Sequence, residues 1–416
     1  MKYLFLLPLL LGTLLNARVL TLQESIKNTL AHHPDVKRFM LRIQQAEQGY
    51  DAAYADYLPQ LNLTASYSPT QTYVLPVNGT FHTVDDNGWN AGISLHQKVW
   101  DFGKTKGLVK ASRIDEDISK LSLHELKALL AFKVKSLYAL MLVQQEAIAV
   151  RQKDLEAKKA FYAQTQAMIE QGMKTPADAN RFLSAVYVAE DALAAAKAAF
   201  EKAKNSLSLY MGTPLPEHVI LQKNVLKTHA KVPHNIVQSV LTANTKLKMD
   251  HLTIDKNKAL HRSSKAANFG SIDLTASHNR LSTLNTYDTD QVSIGYSLPL
   301  YTGGRLSAQE QKAKIAYQIA QEQKASDELA LKEEVQNLLI DIRHYDKSIQ
   351  AKRAQFKSAQ STQKKVNARY QEGLATYIEV LDNTAVMLSA QLGVLEAYYM
   401  RALALDRIDY LKGEIR

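Results

Sequence analysis

Few residues in this chain are placed to do chemistry. Histidine can ligate a metal or shuttle a proton, yet the only adjacent pair among the 12 His is His32-His33, next to Pro34. Neighbouring residues on a helix point in different directions, so two consecutive rings do not converge on one ion. There is no Cys for a thiolate nucleophile or a disulfide framework. No GxxxxGK[ST] loop cradles a phosphate and no HExxH helix offers a zinc site. The Asp and Glu residues are strewn along polar segments beside Lys and Gln, as on solvated helix faces. These residues point to no enzyme, cofactor or resident metal. The 51 Lys+Arg exceed the 41 Asp+Glu by 10, but basic clusters interleaved with aromatics are missing, which argues against a nucleic-acid partner.

What positions the remaining groups is a duplication. Asp101-Phe102-Gly103-Lys104 returns as Thr302-Gly303-Gly304-Arg305, Glu170-Gln171-Gly172-Met173 as Gln371-Glu372-Gly373-Leu374, and Tyr210-Met211-Gly212 as Leu411-Lys412-Gly413, each 201 residues on. Leu63-Thr64-Ala65-Ser66 recurs as Leu274-Thr275-Ala276-Ser277, 211 residues on, so the first copy carries extra residues between its strands. Ahead of the copies, Lys2 and the apolar run Leu4 to Leu15 ending at Ala17 have the form of a secretory signal. That run is too short to span a bilayer as a helix, and no later stretch reads as one. The expected divisions are 1–17 signal peptide, 18–213 first repeat, 214–233 linker and 234–416 second repeat.

Each repeat reads as helix, two strands, very long helix, shorter helix. The opening helices are expected over Thr21 to Tyr57 and Asn235 to Asn268. In the strands, Leu61, Leu63, Ala65 and Tyr67 alternate with polar residues, as do Trp89, Ala91, Ile93, Leu95 and Val99. The second copy repeats this with Ile272, Leu274 and Ala276, then Val292, Ile294, Tyr296, Leu298 and Leu300. Period-two alternation with aromatics near the ends suits a transmembrane β-barrel strand; an ordinary half-buried antiparallel strand shows the same pattern. The long helices have no proline between Gly103 and Gly172 or between Gly304 and Gly373, which at ~1.5 Å per residue is about 100 Å of helix each. Leu331, Val335, Leu338, Ile342, Tyr345, Ile349 and Phe356 form a narrow stripe, matched 201 residues earlier by Leu130, Val134, Leu137, Met141, Gln144, Ile148 and Leu155. That is coiled-coil spacing. Four strands leave open edges that hydrocarbon does not tolerate, so a membrane barrel would close by association, and three copies would give twelve strands.

The strings Val99-Trp100-Asp101-Phe102-Gly103-Lys104, Leu298-Pro299-Leu300-Tyr301-Thr302-Gly303-Gly304-Arg305 and Ala368-Arg369-Tyr370-Gln371-Glu372-Gly373-Leu374-Ala375-Thr376-Tyr377-Ile378-Glu379-Val380-Leu381-Asp382 resemble the TolC family of outer-membrane efflux proteins. The resemblance covers essentially the whole mature chain. It implies a mainly α protein with a membrane β-barrel portion: a homotrimer whose α-helical periplasmic tunnel is topped by a twelve-stranded outer-membrane barrel. The implied role is the passive exit duct of a tripartite efflux pump or type I secretion system. Partners would be a periplasmic adaptor (membrane fusion protein) and an inner-membrane pump of RND, MFS or ABC type. Adaptor docking would fall on Gly172, Met173, Lys174 and Thr175 and on Gly373, Leu374, Ala375 and Thr376. Tyr370 matches the family's linking tyrosine, Asp178 its acidic partner, and Glu379 and Asp382 the acidic ring of the entrance. Ala375 departs from a linking arginine. Asp178 and Glu379, just inside helix N-termini, would also favour the helix dipole for purely structural reasons. Leu63, Ile93, Leu274 and Ile294 would face lipid, with Thr64, Ser94, Thr275 and Ser293 toward the lumen. A periplasmic adaptor or an exported structural coiled coil would share the signal and long helices. An adaptor has one hairpin, however, and a coiled coil has no need of paired strands.

Overall fold

The computed structural model describes residues 19–217, 219–222, 233 and 235–415. The expected signal segment 1–17 lies outside the described residues. In order the elements are β1 (Val19–Leu20), α1 (Leu22–His32), α2 (Pro34–Ala55), β2 (Gln60–Val77), β3 (Thr80–Trp100), α3 (Lys104–Glu170), α4 (Pro176–Met211), β4 (Ile220–Leu221), α5 (Ile236–Ala243), α6 (Thr245–Ala266), β5 (Ser271–Ser282), β6 (Thr286–Ser297), α7 (Arg305–Gln371) and α8 (Tyr377–Leu411). The single opening helix expected in each repeat is two helices. In the first, the residue before Pro34 is driven out of the α region, and His33 is extended at φ −64°, ψ 126°. In the second, the Asn244 side chain accepts from the Leu247 N–H at 3.0 Å and starts a new helix. The expected linker 214–233 holds β4, which pairs in parallel with β1.

Two compact units result, and both draw on both repeats: Lys37–Glu125 with Asn244–Leu331 forms one, and the segment ending at Val36, Leu126–Ala243 and Lys332–Arg416 form the other. The first holds a four-stranded antiparallel sheet in the order β2-β3-β5-β6. Directly paired residues share a face, so the register Leu63↔Ile93 and Leu274↔Ile294 puts each expected pair side by side. One face carries Leu61, Leu63, Ala65 and Tyr67, then Trp89, Ala91, Ile93 and Leu95, then Ile272, Leu274 and Ala276, then Val292, Ile294 and Tyr296. Most of these are exposed, Leu63 at 77% and Ile294 at 69%. The other face is polar, with Thr275 and Ser293 hydroxyls 2.6 Å apart and the Thr64 hydroxyl on the Gly92 carbonyl at 3.4 Å; Ser94 pairs with Ser277 there.

The apolar band does not run straight across the ladder. From β2 to β3 it keeps register, but opposite Ile93 and Ala91 the next strand already carries His278 and Arg280. These face Asp290 and Asp288 at 2.7 and 3.9 Å. A band that slides along the strands from one to the next is what tilted strands show when they cross a slab of uniform thickness. Tyr67 and Trp89 pair at one margin. Trp100, Phe102, Phe269 and Tyr296 cluster at the other, with ring centroids 5.8 to 6.3 Å apart. Such aromatic margins mark membrane–water boundaries.

The helical unit is built around Leu20, Val134, Tyr138, Met141, Leu207 and Leu221. Tyr138 is fully buried, and its hydroxyl donates to Leu20 O at 2.7 Å while accepting from Gln222 N at 2.8 Å, tying β1 and β4 to α3. The expected stripe holds: Val134, Met141, Leu155, Val335, Ile342 and Ile349 are buried. Among the described residues one helix, α8, is long and apolar enough to cross a membrane. Its apolar side instead packs within this unit through Val380, Leu388, Ala397, Ala404 and Ile408. Arg401 and Arg407, in the last third of the same helix, pair with Asp346 and Glu334, each at 2.6 Å.

Candidate entrance and docking site

The two helix reversals share one backbone solution. Where α3 ends, Gly172 N donates to Ile169 O and Met173 N to Met168 O, both at 2.9 Å; where α7 ends, Gly373 N donates to Tyr370 O at 3.0 Å and Leu374 N to Arg369 O at 2.8 Å. This is the left-handed glycine stop with its two crossed bonds, and both glycines have φ near +72°. The returning helices begin alike. The Thr175 N–H donates to Asp178 Oδ2 at 3.0 Å, and the Thr376 hydroxyl accepts from Glu379 N at 3.2 Å while Glu379 reaches back to Thr376. Asp178 and Glu379 are therefore third-position carboxylates of helix caps. Glu379 also lies 3.8 Å from Arg369.

Met173 and Leu374 are exposed at 57% and 64%, and Gly172, Thr175, Gly373 and Thr376 are exposed with them, while Lys174 is half-buried. Ala375, expected among the docking residues, is not on that surface. It lies in the turn ahead of α8, buried in an apolar cluster with Phe182, Val366, Tyr370 and Val380.

Tyr370 is completely buried. Its ring packs edge-on against Phe161 and Phe182 at 5.9 and 5.7 Å, Phe161 stacks on Phe182 at 5.8 Å, and Phe182 meets Tyr377 at 6.4 Å. Four helices, α3, α4, α7 and α8, thus meet through aromatic rings. The Tyr370 hydroxyl lies 2.7 Å from Thr165 Oγ1. Since the Thr165 hydroxyl donates to Phe161 O at 2.7 Å, Tyr370 must be the donor. Within the chain, then, the link between hairpins runs from Tyr370 to Thr165 and not to Asp178, whose carboxylate closes its own cap. Burial pushes the Tyr370 phenol up, the Thr165 bond opposes this, and the nearby Asp178 charge adds to it. Lys174 stands over the same ring at 5.1 Å.

Asp382 is exposed on a groove of about 920 Å³ between α4 and α8, which Arg151 and Lys158 of α3 also line. It has no hydrogen bond or ion pair among the described residues. Arg181 lines that groove too, stacked on Tyr377 at 5.5 Å. The His32-His33 pair has local structural partners: His32 Nδ1 lies 3.0 Å from Asn28 O, and the His33 ring packs on Tyr210 at 5.6 Å.

The reading from sequence missed Phe161, Thr165, Phe182 and Tyr377. One signal was present, since Phe161 and Phe182 stand at nearly equal distances before and after Gly172, which places them abreast across a hairpin.

A sheet with one tilted apolar face and one polar face, joined to paired long helices with matching reversals, defines an outer-membrane channel with a helical tunnel. The chain belongs to the outer membrane efflux protein family, whose model matches residues 25–213 and 236–414. It is 23% identical to outer membrane protein TolC of Escherichia coli strain K12 over 95% of this chain and 83% of that protein. It is 22% identical to the cation efflux system protein CusC of the same strain over 90% of this chain and 82% of that one. Among solved structures, one of CusC superposes with a TM-score of 0.85 at 20% identity, covering 94% of this chain and 92% of that. The outer membrane protein VceC of Vibrio cholerae superposes at 0.81 and 18% identity, covering 95% and 97%. The chain is an outer-membrane efflux channel, not an enzyme.

Proposed function

We propose that three copies join the free edges of their sheets, β2 of one against β6 of the next, into a twelve-stranded barrel. This barrel would form the outer-membrane exit of a tripartite pump or type I secretion system. The observation that supports this is the sheet itself. It exposes an apolar band to one side, yet its β2 and β6 edges have no partner strand among the described residues, and hydrocarbon does not tolerate unpaired backbone. The duct is passive. Inner-membrane partners of RND, MFS or ABC type supply the work through a periplasmic adaptor that engages the exposed turns at Gly172–Thr175 and at Gly373, Leu374 and Thr376. A passive duct tolerates varied cargo, and two relatives are named for cation efflux and for toluene efflux. Asp382, with Glu379 behind it, lines the entrance as a carboxylate ring.

Detergent-extracted outer membranes analysed by native mass spectrometry should yield three copies; a soluble periplasmic monomer would overturn the barrel. The faces of the sheet give a second check. An Arg at bilayer midplane on the lipid side costs about 2–4 kcal/mol, so Ile294→Arg should impair assembly where Ser293→Arg does not. Equal tolerance would show an ordinary sheet.

A further inference from the structure

At the helical margin of the sheet lies a pocket of about 490 Å³ between the first turns of α3 and the last turns of α6. Lys106, Lys110, Lys258 and Arg262 line it, against one carboxylate, Asp255. None of the four cations makes an ion pair, hydrogen bond or ring contact among the described residues. Among the described residues Asp255 has only the exposed His251 as an ion-pair partner, at 3.9 Å.

The pocket is held by a close helix crossing. A Cβ on Gly107 would stand 2.7 Å from Ser263 Cβ and 2.8 Å from Ala259 O. The Ser263 hydroxyl donates to Lys104 O at 2.8 Å across the same crossing. One wall is Phe102, whose ring also belongs to the aromatic cluster with Trp100, Phe269 and Tyr296. Trp100 and Tyr296 lie on the apolar face of the sheet, both paired with Ile272. The unpaired cations therefore begin where the apolar band ends, roughly one to three helical turns from the aromatic margin.

We propose that this pocket binds the phosphate of an anionic lipid headgroup from the periplasmic leaflet. The lipid's acyl chains would lie along the apolar band while its phosphate is held among the four cations. Basic pockets at the membrane margin of membrane proteins take anionic headgroups on this principle, and guanidinium and ammonium donors match phosphate oxygens. The proposal rests on the sheet being membrane-embedded.

The test uses delipidated full-length trimers offered equal amounts of phosphatidylglycerol and phosphatidylethanolamine, with bound lipid read by native mass spectrometry. The wild type should retain phosphatidylglycerol by about tenfold over phosphatidylethanolamine. The Lys106→Gln/Lys258→Gln double variant should lose most of that preference, and adding Lys110→Gln and Arg262→Gln should bring it to parity. Equal retention of the two lipids by the wild type, or an unchanged preference in the double variant, overturns the site. Displacement of phosphatidylglycerol by millimolar inorganic phosphate overturns it in favour of a soluble anion. Channel conductance in planar bilayers, measured on the same preparations, reports on the duct separately, so a failed lipid site and a failed barrel are distinguishable.

Discussion

The two hairpin tips have the same backbone and different fastenings. Gly172 and Gly373 stop their helices with the same pair of crossed hydrogen bonds, and Thr175 and Thr376 start the returns with the same kind of cap. Inside, the copies diverge. The first hairpin is fastened by Phe161 stacked on Phe182, positions that hold Thr362 and Asn383 in the second copy. The second hairpin is fastened by buried Gln363, whose amide donates to Thr384 Oγ1 at 2.8 Å and Asn367 Oδ1 at 2.6 Å while its own Oε1 has no partner. The matching residues in the first copy are Tyr162 and Leu183. Tyr370 then enters the aromatic socket of the first hairpin, where the first copy itself has Ile169 at the equivalent place. The duplication preserved what the backbone needs to reverse and let the interior side chains become complementary. In this chain the tips are joined by burial, with Ala375 inside the cluster where the family resemblance leads one to expect a linking arginine. Burial is little weakened by salt, unlike exposed ion pairs.

The sharpest way to break this contrast is to empty the socket. Phe182 is fully buried, and Phe182→Ala should destabilise the helical unit by about 3–5 kcal/mol. Gln363→Ala should cost about 1–2 kcal/mol, because it removes two hydrogen bonds together with an already unsatisfied acceptor. Thermal melts of the purified full-length protein followed by circular dichroism measure both. If Gln363→Ala proves the more damaging, the polar fastening and not the aromatic one holds the tips.

Smaller effects belong to the reversals. Neither Gly172 nor Gly373 has anything within 4 Å of a Cβ added to it, so substitution there meets a purely conformational penalty of about 1–2 kcal/mol for a left-handed residue. Gly172→Val and Gly373→Val should therefore melt alike, remain trimeric and lose export together, because the exposed turns they distort are the proposed docking surface. Normal export without adaptor crosslinks in either variant would refute tip docking.

Much of this was legible in the sequence because it is periodic. The strand alternation from Leu61 to Tyr67, the 201-residue offset and the stripe through Val335 and Ile342 are statements about faces, and faces follow from spacing. Their ends were not legible. β2 and β3 run on to Val77 and back from Thr80. A register shift between Ser68 and Gln71 interrupts the alternation there; the signal overlooked was Asn78-Gly79, whose positive φ values of 50° and 81° make a two-residue hairpin turn. The proposed entrance was legible only through the family resemblance. A linking role for Tyr370 was implied only by the family resemblance, with Asp178 as its partner; the acceptor within the chain, Thr165, is 205 residues away, and no spacing rule reaches that far.

Tyr370→Phe probes that link with the ring left in place. The hydroxyl bond to Thr165 contributes about 0.5–1.5 kcal/mol, and Thr165 keeps its own bond to Phe161 O. The melt should shift only slightly, whereas leak conductance in planar bilayers should rise. An unchanged leak would mean that the aromatic packing alone holds the entrance.

Asp382→Asn should do least to stability and most to selectivity. The carboxylate is exposed and has no hydrogen bond or ion pair among the described residues, so no contact is lost when its charge is removed. Asp178 and Glu379 differ in that each also completes a cap, and a cap residue contributes about 0.5–2 kcal/mol; their substitution mixes a structural effect with an electrostatic one. Asp382 isolates the electrostatic one. In a trimer three such carboxylates would face a common passage, where like charges raise the local cation concentration and repel anions. The neighbouring cations Arg151, Lys158 and Arg181 on the same groove oppose that field in part, so Asp382→Asn should lower cation preference and weaken block by multivalent cations while the melt stays within about 0.5 kcal/mol of wild type. Reversal potentials under a salt gradient measure the first effect directly. Selectivity unchanged in Asp382→Asn, with Tyr370→Phe still leaky, would keep the aromatic fastening as the gate and remove Asp382 from the permeation path.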